Sequence, residues 1–568
     1  MVLIALAACA SAAPSPTSAP PTAPPSTPVP TASPSPSPPP MTRDLAERPQ
    51  IWFSPLDPSP PDASRPFNGG PDFMALFDED APWQEAAEAV HVFKLYGGWV
   101  AGAATDAELR QVVGDLNRRG MAIGFEASPL AYGSDCGAWT GEAETIMRRL
   151  AQAGAEVRFV ALDHPYDSGV LAEGSDACGL SVEQAAAGVA EYVAAIRDRL
   201  PNAVVGTIET ASNEPAEVER WVDAYRDAAG EDFDFVHLDL NFARPDWPEA
   251  SLEIQEFLDG RGIDFGMIYF GNEEDRSDAV WLQRVEDRFT AFELLGGRPD
   301  HAIFQSWHPY PQRLLPETDA AAFTSVIHRY LRTRTVATLE LDPAGTASGT
   351  LARTDGTPVA GAEITVSAVP TAGPGAWHEH TASGVVPAWA VVADVGYRVN
   401  TECACSGEGD FTLGSASYAE NGVDVAIPGG ELATGHAEWS IWGAAAQTVD
   451  AEGLHVVAAA GQDAAANSPR FDVTAGAPYT VTFLARVAPA SLGSGYFSII
   501  FSDGGSEGSR DLVPLAAAAV PLGSTTTDDA GRYTLAVDLA AFPDAVVRVS
   551  YAGDDDLWPA RTQSAVGE

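Results

Sequence analysis

The sequence predicts a (β/α)8 barrel followed by all-β domains, and three observations lead to that fold class. Eight short apolar runs occur between Gln50 and Pro311. Most of these runs end in a polar or acidic residue and then give way to a helical pattern, as the strands and helices of a barrel do. After Arg334 the period changes from helical to alternating, and glycine and small residues become more frequent, which indicates β-structure.

The eight apolar runs are the predicted strands. They are Ile51 to Phe53, Val90 to Leu95, Met121 to Phe125, Val157 to Leu162, Val204 to Ile208, Phe235 to Leu238, Ile263 to Phe270 and Ala302 to Phe304. The polar or aromatic residues that close or follow them are Ser54, Lys94 with Tyr96, Glu126, Asp163, Glu209, Asp239, Asn272 with Glu273, and Trp307 with His308. Because barrel enzymes keep their active sites at the carboxyl ends of the strands, we expect these residues at one face of the barrel.

Capping boxes begin two of the predicted helices. Ser181 with Gln184 starts a helix whose apolar residues step by three and four until Pro201. Thr105 with Glu108 starts another, which ends at Gly120. The remaining helices are predicted within Trp83 to Ala89, Glu144 to Gly154, Pro215 to Gly230, Ser251 to Gly260, Asp278 to Gly296 and Thr318 to Leu331.

The all-β part resembles an Ig-like surface-protein module that is interrupted. Residues 349–368 resemble its opening strands, whereas its usual continuation, a Thr-Asp-x-x-Gly-x-Tyr step and a Tyr-x-Gly ending, comes only at 527–533 and 551–553. We therefore expect a split Ig-like domain at 336–369 and 520–563.

The intervening segment, residues 370–519, has a strand rhythm of its own. It predicts a two-sheet jelly roll and is similar to non-catalytic carbohydrate-binding modules, notably over Ser468 to Ile500. Trp439 and Trp442 are candidates to stack on a sugar ring, although one of two such residues in a strand usually belongs to the core.

The first residues predict export. Residues 1–9 end in Leu6-Ala7-Ala8-Cys9, which resembles a bacterial lipobox and implies lipidation of Cys9, although the usual positively charged segment is missing. Residues 10–46 are rich in proline, serine, threonine and alanine and predict a stiff tether to the barrel at 47–335. We expect an extracytoplasmic protein held at the membrane only by that lipid.

The net charge indicates the kind of partner, and the cysteines indicate possible disulfides. The formal net charge of −47 argues against nucleic acid or an anionic bilayer as a ligand and favours neutral or basic partners. Cys136 and Cys178 follow neighbouring strands, and we expect a disulfide between them that fixes two loops at the active face. Cys403 and Cys405 are predicted as either a small bridge or two free thiols.

Four carboxylates that close successive strands point to acid/base chemistry. Glu126, Asp163, Glu209 and Asp239 end the third to sixth strands, and sugar hydrolysis needs one carboxyl group as proton donor and another as nucleophile or base. We predict Asp163 as the central carboxylate and Glu209 or Asp239 as the proton donor. Glu126 is expected to bind a hydroxyl group or to adjust its neighbours' pKa.

Over Gln50 to Leu331 the chain resembles the barrel glycoside hydrolases. Gln305-Ser306-Trp307-His308 is similar to the place of their floor tryptophan, which implies that Trp307 contacts the sugar. Asp163 and Asp239 resemble the α-galactosidase-like arrangement by position, which would make Asp163 the nucleophile and Asp239 the acid. The Asn-Glu pair of the largest barrel clan is absent from strand 4. The other predicted substrate-binding residues are Lys94, Tyr96, Trp99, His164, Asn272 and His308, with Trp52, Trp139 and Trp247 as further stacking candidates.

Other interpretations remain open at this point. His237 and Asp239 share a strand face and could ligate a metal ion, but no third ligand is evident. No cofactor is predicted, except that Asp554 to Asp556 and Glu273 to Asp275 could hold structural calcium. The alternatives to a glycan-cleaving enzyme are a non-catalytic glycan-binding lipoprotein and a barrel hydrolase of a non-sugar substrate.

Overall fold

The computed structural model describes most of the chain after the predicted tether. The described residues are 44–46, 48–60, 69–130, 140–171, 178–210, 214–240, 242, 247–272, 275, 277–342, 345–371, 375–399, 409–435, 438–459, 462–489, 495–504, 507–515, 518–540, 542, 545–554 and 556–566. The predictions for Cys9, Cys136, Trp139, Glu273, Cys403 and Cys405 lie outside these ranges.

Eight parallel strands close into a barrel in sequence order, which confirms the predicted fold class. The strands are β1 Gln50–Ser54, β2 Val92–Leu95, β3 Ala122–Ala127, β4 Val157–Asp163, β5 Val204–Glu209, β6 Phe235–Leu238, β7 Asp264–Tyr269 and β8 His301–Gln305. Pairing of β1 with β8, from Gln50 with His301 to Ser54 with Gln305, closes the circle.

Helices surround the barrel. They are α1 Gln84–Ala89, α2 Asp106–Arg119, α3 Thr140–Ala153, α4 Val182–Arg199, α5 Pro215–Ala229, α6 Trp247–Asp259, α7 Asp278–Leu295 and α8 Ser325–Leu331. Both predicted capping boxes are present, at Thr105 and Ser181. Helix α8 is shorter than predicted, because Asp319 turns the chain before it by accepting a hydrogen bond from the Ala321 N–H, 2.9 Å away.

Glycines on alternate strands make room for large rings inside the barrel. A Cβ atom at Gly206 would lie 2.3 Å from the Phe235 ring, and one at Gly266 would lie 2.3 Å from the His237 ring. Trp52 is fully buried between Phe159 and Phe235, with ring centroids 4.7 and 5.7 Å away. The interior below the mouth is therefore a packed aromatic layer.

Within the described residues, four antiparallel sheets follow the barrel. Two of them combine strands β9 to β12, between Thr335 and Pro370, with strands β25 to β28, between Val520 and Ala565. The other two contain only the intervening strands β13 to β24, from Trp377 to Pro514, and enclose a separate hydrophobic core. The names Ig-like and jelly roll for these two parts stay predictions.

The described strands after α8 are numbered β9 to β28 in chain order. They are β9 Thr335–Ala337, β10 Glu340–Asp342, β11 Thr346–Arg353, β12 Glu363–Pro370, β13 Trp377–Val385, β14 Val392–Val399, β15 Gly409–Glu420, β16 Val423–Val425, β17 Ser440–Gly443, β18 Ala446–Val449, β19 Leu454–Ala458, β20 Ala464–Asn467, β21 Phe471–Asp472, β22 Pro478–Val487, β23 Gly495–Ser502, β24 Glu507–Pro514, β25 Val520–Thr526, β26 Arg532–Ala536, β27 Ala545–Tyr551 and β28 Ala560–Ala565, with a short helix α9 Leu432–Gly435.

Trp558 joins the β-region to the barrel. Its ring stacks on Phe289 of α7, with centroids 5.1 Å apart, and its Nε1 donates to the Tyr330 carbonyl over 3.1 Å. The Arg334 guanidinium lies 4.1 Å from the same ring and pairs with Glu293 at 2.5 Å. The Trp558 side chain therefore belongs to the hydrophobic core of the barrel.

Candidate active site

The inward-facing residues of each strand can be identified from the rings that fill the barrel. Phe159 and Phe235 touch Trp52 across the interior, so every second residue after them, including Asp163 and Asp239, lies on the inward face. Lys94, Glu126 and Gln305 meet one another across the same space. These side chains form a polar layer at the carboxyl ends of the strands, which we call the mouth layer.

Lys94 is the buried cation of this layer and links its own strand to two others. Its Nζ donates to Glu126 Oε2 over 2.5 Å and to Gln305 Oε1 over 2.6 Å, and Gln305 Nε2 donates to the same Glu126 oxygen over 3.1 Å. The Lys94 side chain is 0% exposed, whereas that of Glu126 is 12% exposed. Lys94 was predicted to contact substrate, but its burial assigns it instead to holding Glu126 in place.

Asp163 stands beside this cluster at the end of β4. Burial and the negative charge of Glu126 raise the pKa of Asp163 to about 6, against the lowering effects of His164 and Lys94. The Ser128 hydroxyl donates to Asp163 Oδ2 over 3.3 Å. A carboxyl group with such a pKa is partly protonated near neutral pH and can donate a proton.

His164 connects Asp163 to Asp239. Its backbone φ is +45°, in the left-handed region that residues other than glycine rarely adopt. Its Nε2 lies 3.2 Å from Asp239 Oδ2, which makes the two side chains an ion pair. Burial alone lowers the pKa of His164, but the charges of Asp163 and Asp239 outweigh it and raise that pKa well above its usual value.

Tyr96 closes the side of the mouth next to β8. Its hydroxyl donates to the Ser306 carbonyl over 2.7 Å, and burial together with the charge of Glu126 raises its pKa well above the ordinary value. Ser306 in turn donates to the Tyr310 carbonyl over 3.0 Å. Tyr96 thus fixes the segment that carries Trp307.

Glu209 does not belong to the mouth layer, which corrects its prediction as a proton donor at the mouth. Gly206 points into the barrel towards Phe235, so Thr207 and Glu209 point outward, towards the helices. Glu209 is fully buried there, and Thr207 Oγ1 donates to its Oε1 over 2.6 Å. From this position the Glu209 carboxyl group does not face a substrate bound at the mouth.

Three of the predicted stacking tryptophans belong to the core, which corrects their assignment to a sugar-binding surface. Trp52 is 0% exposed inside the barrel, and Trp99 is 3% exposed and packs edge-to-face on Phe73. Trp247 is 8% exposed and packs against Phe242 at a centroid distance of 4.9 Å. Their positions in the sequence were misleading, because Trp52 lies within β1 and Trp247 begins α6, where both side chains pack into the core.

Trp307 and His308 form an aromatic wall with Phe270. Trp307 is half-buried, and its ring centroid lies 4.5 Å from that of Phe270. His308 packs on both rings, and burial together with the charge of Arg288 lowers its pKa to about 4, so its imidazole is neutral near pH 7. The wall offers an aromatic surface where the chain leaves β7 and β8.

Arg288 of α7 supports this wall and was missed by the sequence reasoning. Its guanidinium lies 3.9 Å from the Phe242 ring centroid and 5.0 Å from that of Phe270. It donates to the carbonyls of Phe270 and Gly271 and to the side chain of Asn272. Asn272 was predicted to bind substrate, but its side-chain oxygen is occupied by this arginine.

His237 faces the barrel floor. Its Nε2 lies 2.9 Å from His301 Nδ1, which turns this nitrogen away from a metal site shared with Asp239. Among the described residues, no group of three or more histidine, cysteine, aspartate or glutamate side chains has the arrangement of a metal site. The predicted structural calcium is untested and remains a prediction.

Three further predictions concern a disulfide, the membrane and a sugar-binding surface. Cys178 is disulfide-bonded, while Cys136 lies outside the described residues, so their pairing stays a prediction. No helix in the described part of the chain is long and apolar enough to cross a membrane. In the inserted β-region, Trp439 is 6% exposed and its Nε1 donates to the Gly429 carbonyl over 3.0 Å, whereas Trp442 is 43% exposed.

Comparisons with known proteins give similarity of fold only. No protein-family model matches the chain, and no curated protein matches it. Among solved structures, it is similar to an endo-β-1,4-mannanase from Cellulomonas fimi, with 12% identity over 49% of this chain and 76% of that one, at a TM-score of 0.31. A fungal β-1,4-galactanase matches with 11% identity over 49% and 99% of the two chains, at a TM-score of 0.34.

Barrel enzymes of other classes match to a similar extent. N-acetylneuraminate lyase from Aliivibrio salmonicida has 11% identity over 49% of this chain and 73% of its own, at a TM-score of 0.27. The matched structures thus include glycoside hydrolases together with other barrel enzymes. Since one fold serves several chemistries, function has to be argued from the mouth layer.

Proposed function

We propose that this protein is a glycoside hydrolase that cleaves glycosidic bonds of a polysaccharide or glycan with Asp163 and Asp239 as its two carboxyl groups. The observation that carries the proposal is the arrangement of Asp163, His164 and Asp239 on the inward face of the barrel, linked by charge and by the 3.2 Å ion pair. Glycoside hydrolysis needs two carboxyl groups whose protonation differs.

In the proposed mechanism Asp163 is the proton donor. Its carboxyl group, with a pKa raised to about 6 by burial and by Glu126, protonates the glycosidic oxygen as the bond to the anomeric carbon breaks. This reverses the role taken from the α-galactosidase-like resemblance, in which Asp163 is the nucleophile. The reversal is supported by the environment of Asp163, where a neighbouring carboxylate favours the protonated form.

Asp239 acts in the proposal as the second carboxylate. It either attacks the anomeric carbon and forms a glycosyl-enzyme that water then hydrolyses, or it takes a proton from a water that attacks that carbon directly. In both cases the leaving alcohol departs with the proton from Asp163. The cationic His164, 3.2 Å away, stabilises the negative charge of Asp239. Glu126, held by Lys94, keeps the pKa of Asp163 high.

The aromatic wall supports a sugar as the substrate. The half-buried Trp307 and the neutral His308 present an uncharged surface to a ring bound beside Asp239. We also propose that the enzyme works outside the cytoplasm, anchored through Cys9, as the lipobox-like Leu6-Ala7-Ala8-Cys9 implies.

The test is hydrolysis by the full-length protein of a panel of polysaccharides, followed as release of reducing ends. We expect Asp163→Asn and Asp239→Asn to lower kcat/KM by about 10²–10⁴-fold, the usual contribution of a general acid or base. Asp198→Asn, an exposed carboxylate on α4, is the control and should leave activity unchanged. Full activity in both mouth variants would refute the proposal.

Binding without turnover is the outcome that separates the alternatives. Affinity of the unmodified protein for a glycan without bond cleavage would identify a glycan-binding protein instead. Activity confined to esters or amides would identify a hydrolase of a non-sugar substrate.

A further inference from the structure

Glu209 is attached to the turn that follows β4. Its Oε1 accepts a hydrogen bond from the Tyr166 N–H over 3.3 Å and another from Thr207 Oγ1 over 2.6 Å. Tyr166 lies three residues after Asp163, in the turn that leads away from the mouth. The carboxyl group therefore joins the back of β5 to the segment that begins with His164.

Two more links join the same segments. The His164 N–H donates to the Ile208 carbonyl over 3.0 Å, and Asp167 Oδ2 accepts from the N–H of Thr210 over 2.9 Å and from its hydroxyl. Between these links the backbone of His164 is held at a φ of +45°. A conformation of this kind persists only where its surroundings determine it.

We propose that Glu209 is a positioning residue, whose side chain holds the turn after β4 and thereby fixes Asp163 and His164 at the mouth. The inference rests on the proposed function for its kinetic consequence. Its structural consequence, the placement of His164 against Asp239, can be measured separately.

The chemistry of Glu209 fits a structural hydrogen-bond acceptor better than a proton donor. Both of its hydrogen bonds go to Oε1, so a single acceptor oxygen satisfies them. Burial and the nearby charge of Asp167 raise its pKa well above the ordinary value, which favours the neutral form over the carboxylate. The amide of a glutamine has the same shape and offers the same acceptor oxygen.

The experiment compares Glu209→Gln with Glu209→Ala in the full-length protein. We expect the glutamine variant to keep kcat within about threefold, and the alanine variant to lose about tenfold or more in kcat with a smaller change in KM, because small misplacements of catalytic groups are costly. Equal losses in both variants would mean that Glu209 itself transfers a proton in the reaction, and an unaffected alanine variant would mean that it positions nothing.

NMR titration of the His164 imidazole supplies a measurement that needs no substrate. The charged or titratable groups that surround His164 are Asp163, Asp167, Asp239 and Glu209. We expect its pKa to stay raised in Glu209→Gln and to fall towards the ordinary histidine value in Glu209→Ala, as the imidazole moves away from Asp239. An unchanged pKa in the alanine variant would overturn the inference even if the protein hydrolysed no glycan.

Thr207→Val provides a second variant if Glu209→Ala does not fold. It keeps the side-chain shape but removes the 2.6 Å hydrogen bond to Glu209 Oε1. A smaller change in the same direction, in kcat and in the His164 titration, is expected. No change in either would contradict the inference.

Discussion

The mouth and the floor of the barrel place histidines in opposite charge states. At the mouth, Asp163 and Asp239 outweigh the effect of burial and raise the pKa of His164 well above its usual value. At the floor, burial lowers the pKa of His237, and His301 lowers it further. The neighbouring carboxylates thus decide which histidine is charged, although both side chains are mostly buried.

This difference in charge separates the packed floor of the barrel from its charged mouth. The floor consists of aromatic rings and of neutral imidazoles that bond to each other, with His237 Nε2 and His301 Nδ1 2.9 Å apart. The mouth layer carries opposite charges in close pairs, Lys94 with Glu126 and His164 with Asp239. Changes at the floor should therefore affect mainly stability, whereas changes at the mouth should affect catalysis and, where a buried charge loses its partner, stability as well.

The largest expected effect is on stability, from Trp52→Ala at the floor. Trp52 is 0% exposed and contacts Phe159, Phe235 and His237, so its truncation leaves a cavity. We expect a loss of about 3–5 kcal/mol in the free energy of barrel unfolding, measured by denaturant titration. Trp442→Ala, at a 43% exposed position outside the barrel, is the control and should change stability by less than about 0.5 kcal/mol.

Removal of the buried cation from the mouth should cost somewhat less stability. Lys94→Met leaves Glu126 without its ion-pair partner, and we expect about 1–3 kcal/mol of destabilisation in the same titration. The double variant Lys94→Met with Glu126→Gln should recover part of that loss, because no unpaired carboxylate remains. If the double variant were less stable than the single one, the pair would not be the reason for the loss.

Substrate charge offers a test of the mouth alone. The described cations Lys94, His164 and Arg288 are each engaged by side chains or carbonyls of the protein, which leaves little to attract an anionic sugar. At low salt we expect kcat/KM for uronic-acid polymers to be at least about tenfold below that for neutral or amino-sugar polymers, a gap that narrows with added salt. A preference for uronic acids would contradict this description of the mouth.

The smallest expected effect is the response of stability to pH. Unfolded histidine has a pKa of about 6.5, and those of His237 and His301 are lower in the folded protein. As the pH falls below about 6.5, these two histidines therefore bind protons in the unfolded chain before they do so in the folded protein. The free energy of unfolding decreases progressively from there downward. His164, with its raised pKa, acts in the opposite direction and stabilises the fold most at pH below 6.5.

Tm measured at pH 7 and at pH 5 checks this prediction in two variants. His237→Phe should lose less Tm on acidification than the unmodified protein, and His164→Asn should lose more. The same pH response in both variants would contradict the opposite charge states of mouth and floor.

The alternation of strands and helices made the barrel predictable, but it did not determine which face of each strand is inward. The run Val204 to Ile208 is apolar on both faces, because β5 is covered by helices outside and by rings inside. Glu209 points outward because Gly206 faces inward, where its missing side chain leaves room for Phe235 of β6. The apolar pattern of β5 does not predict this contact with the neighbouring strand.

Tertiary packing also explains the residues that sequence reasoning missed. Gln305 reaches the mouth layer from β8, whereas the sequence prediction at the end of this strand named Trp307. Arg288 comes from the middle of α7, where an arginine is usually an exposed surface residue. Its burial under Phe242 and Phe270 depends on the paths of loops, which periodic patterns in the local sequence do not predict.

The central claim is that Asp163 donates the proton and that Glu126 sets its pKa, and the pH dependence of kcat/KM tests it most directly. A general acid must be protonated, so activity should fall as the pH rises above about 6. Glu126→Gln removes the charge that raises this pKa, and the alkaline limb should move to lower pH. Lys94→Met should move it to higher pH. A limb that stays in place in both variants would contradict the account.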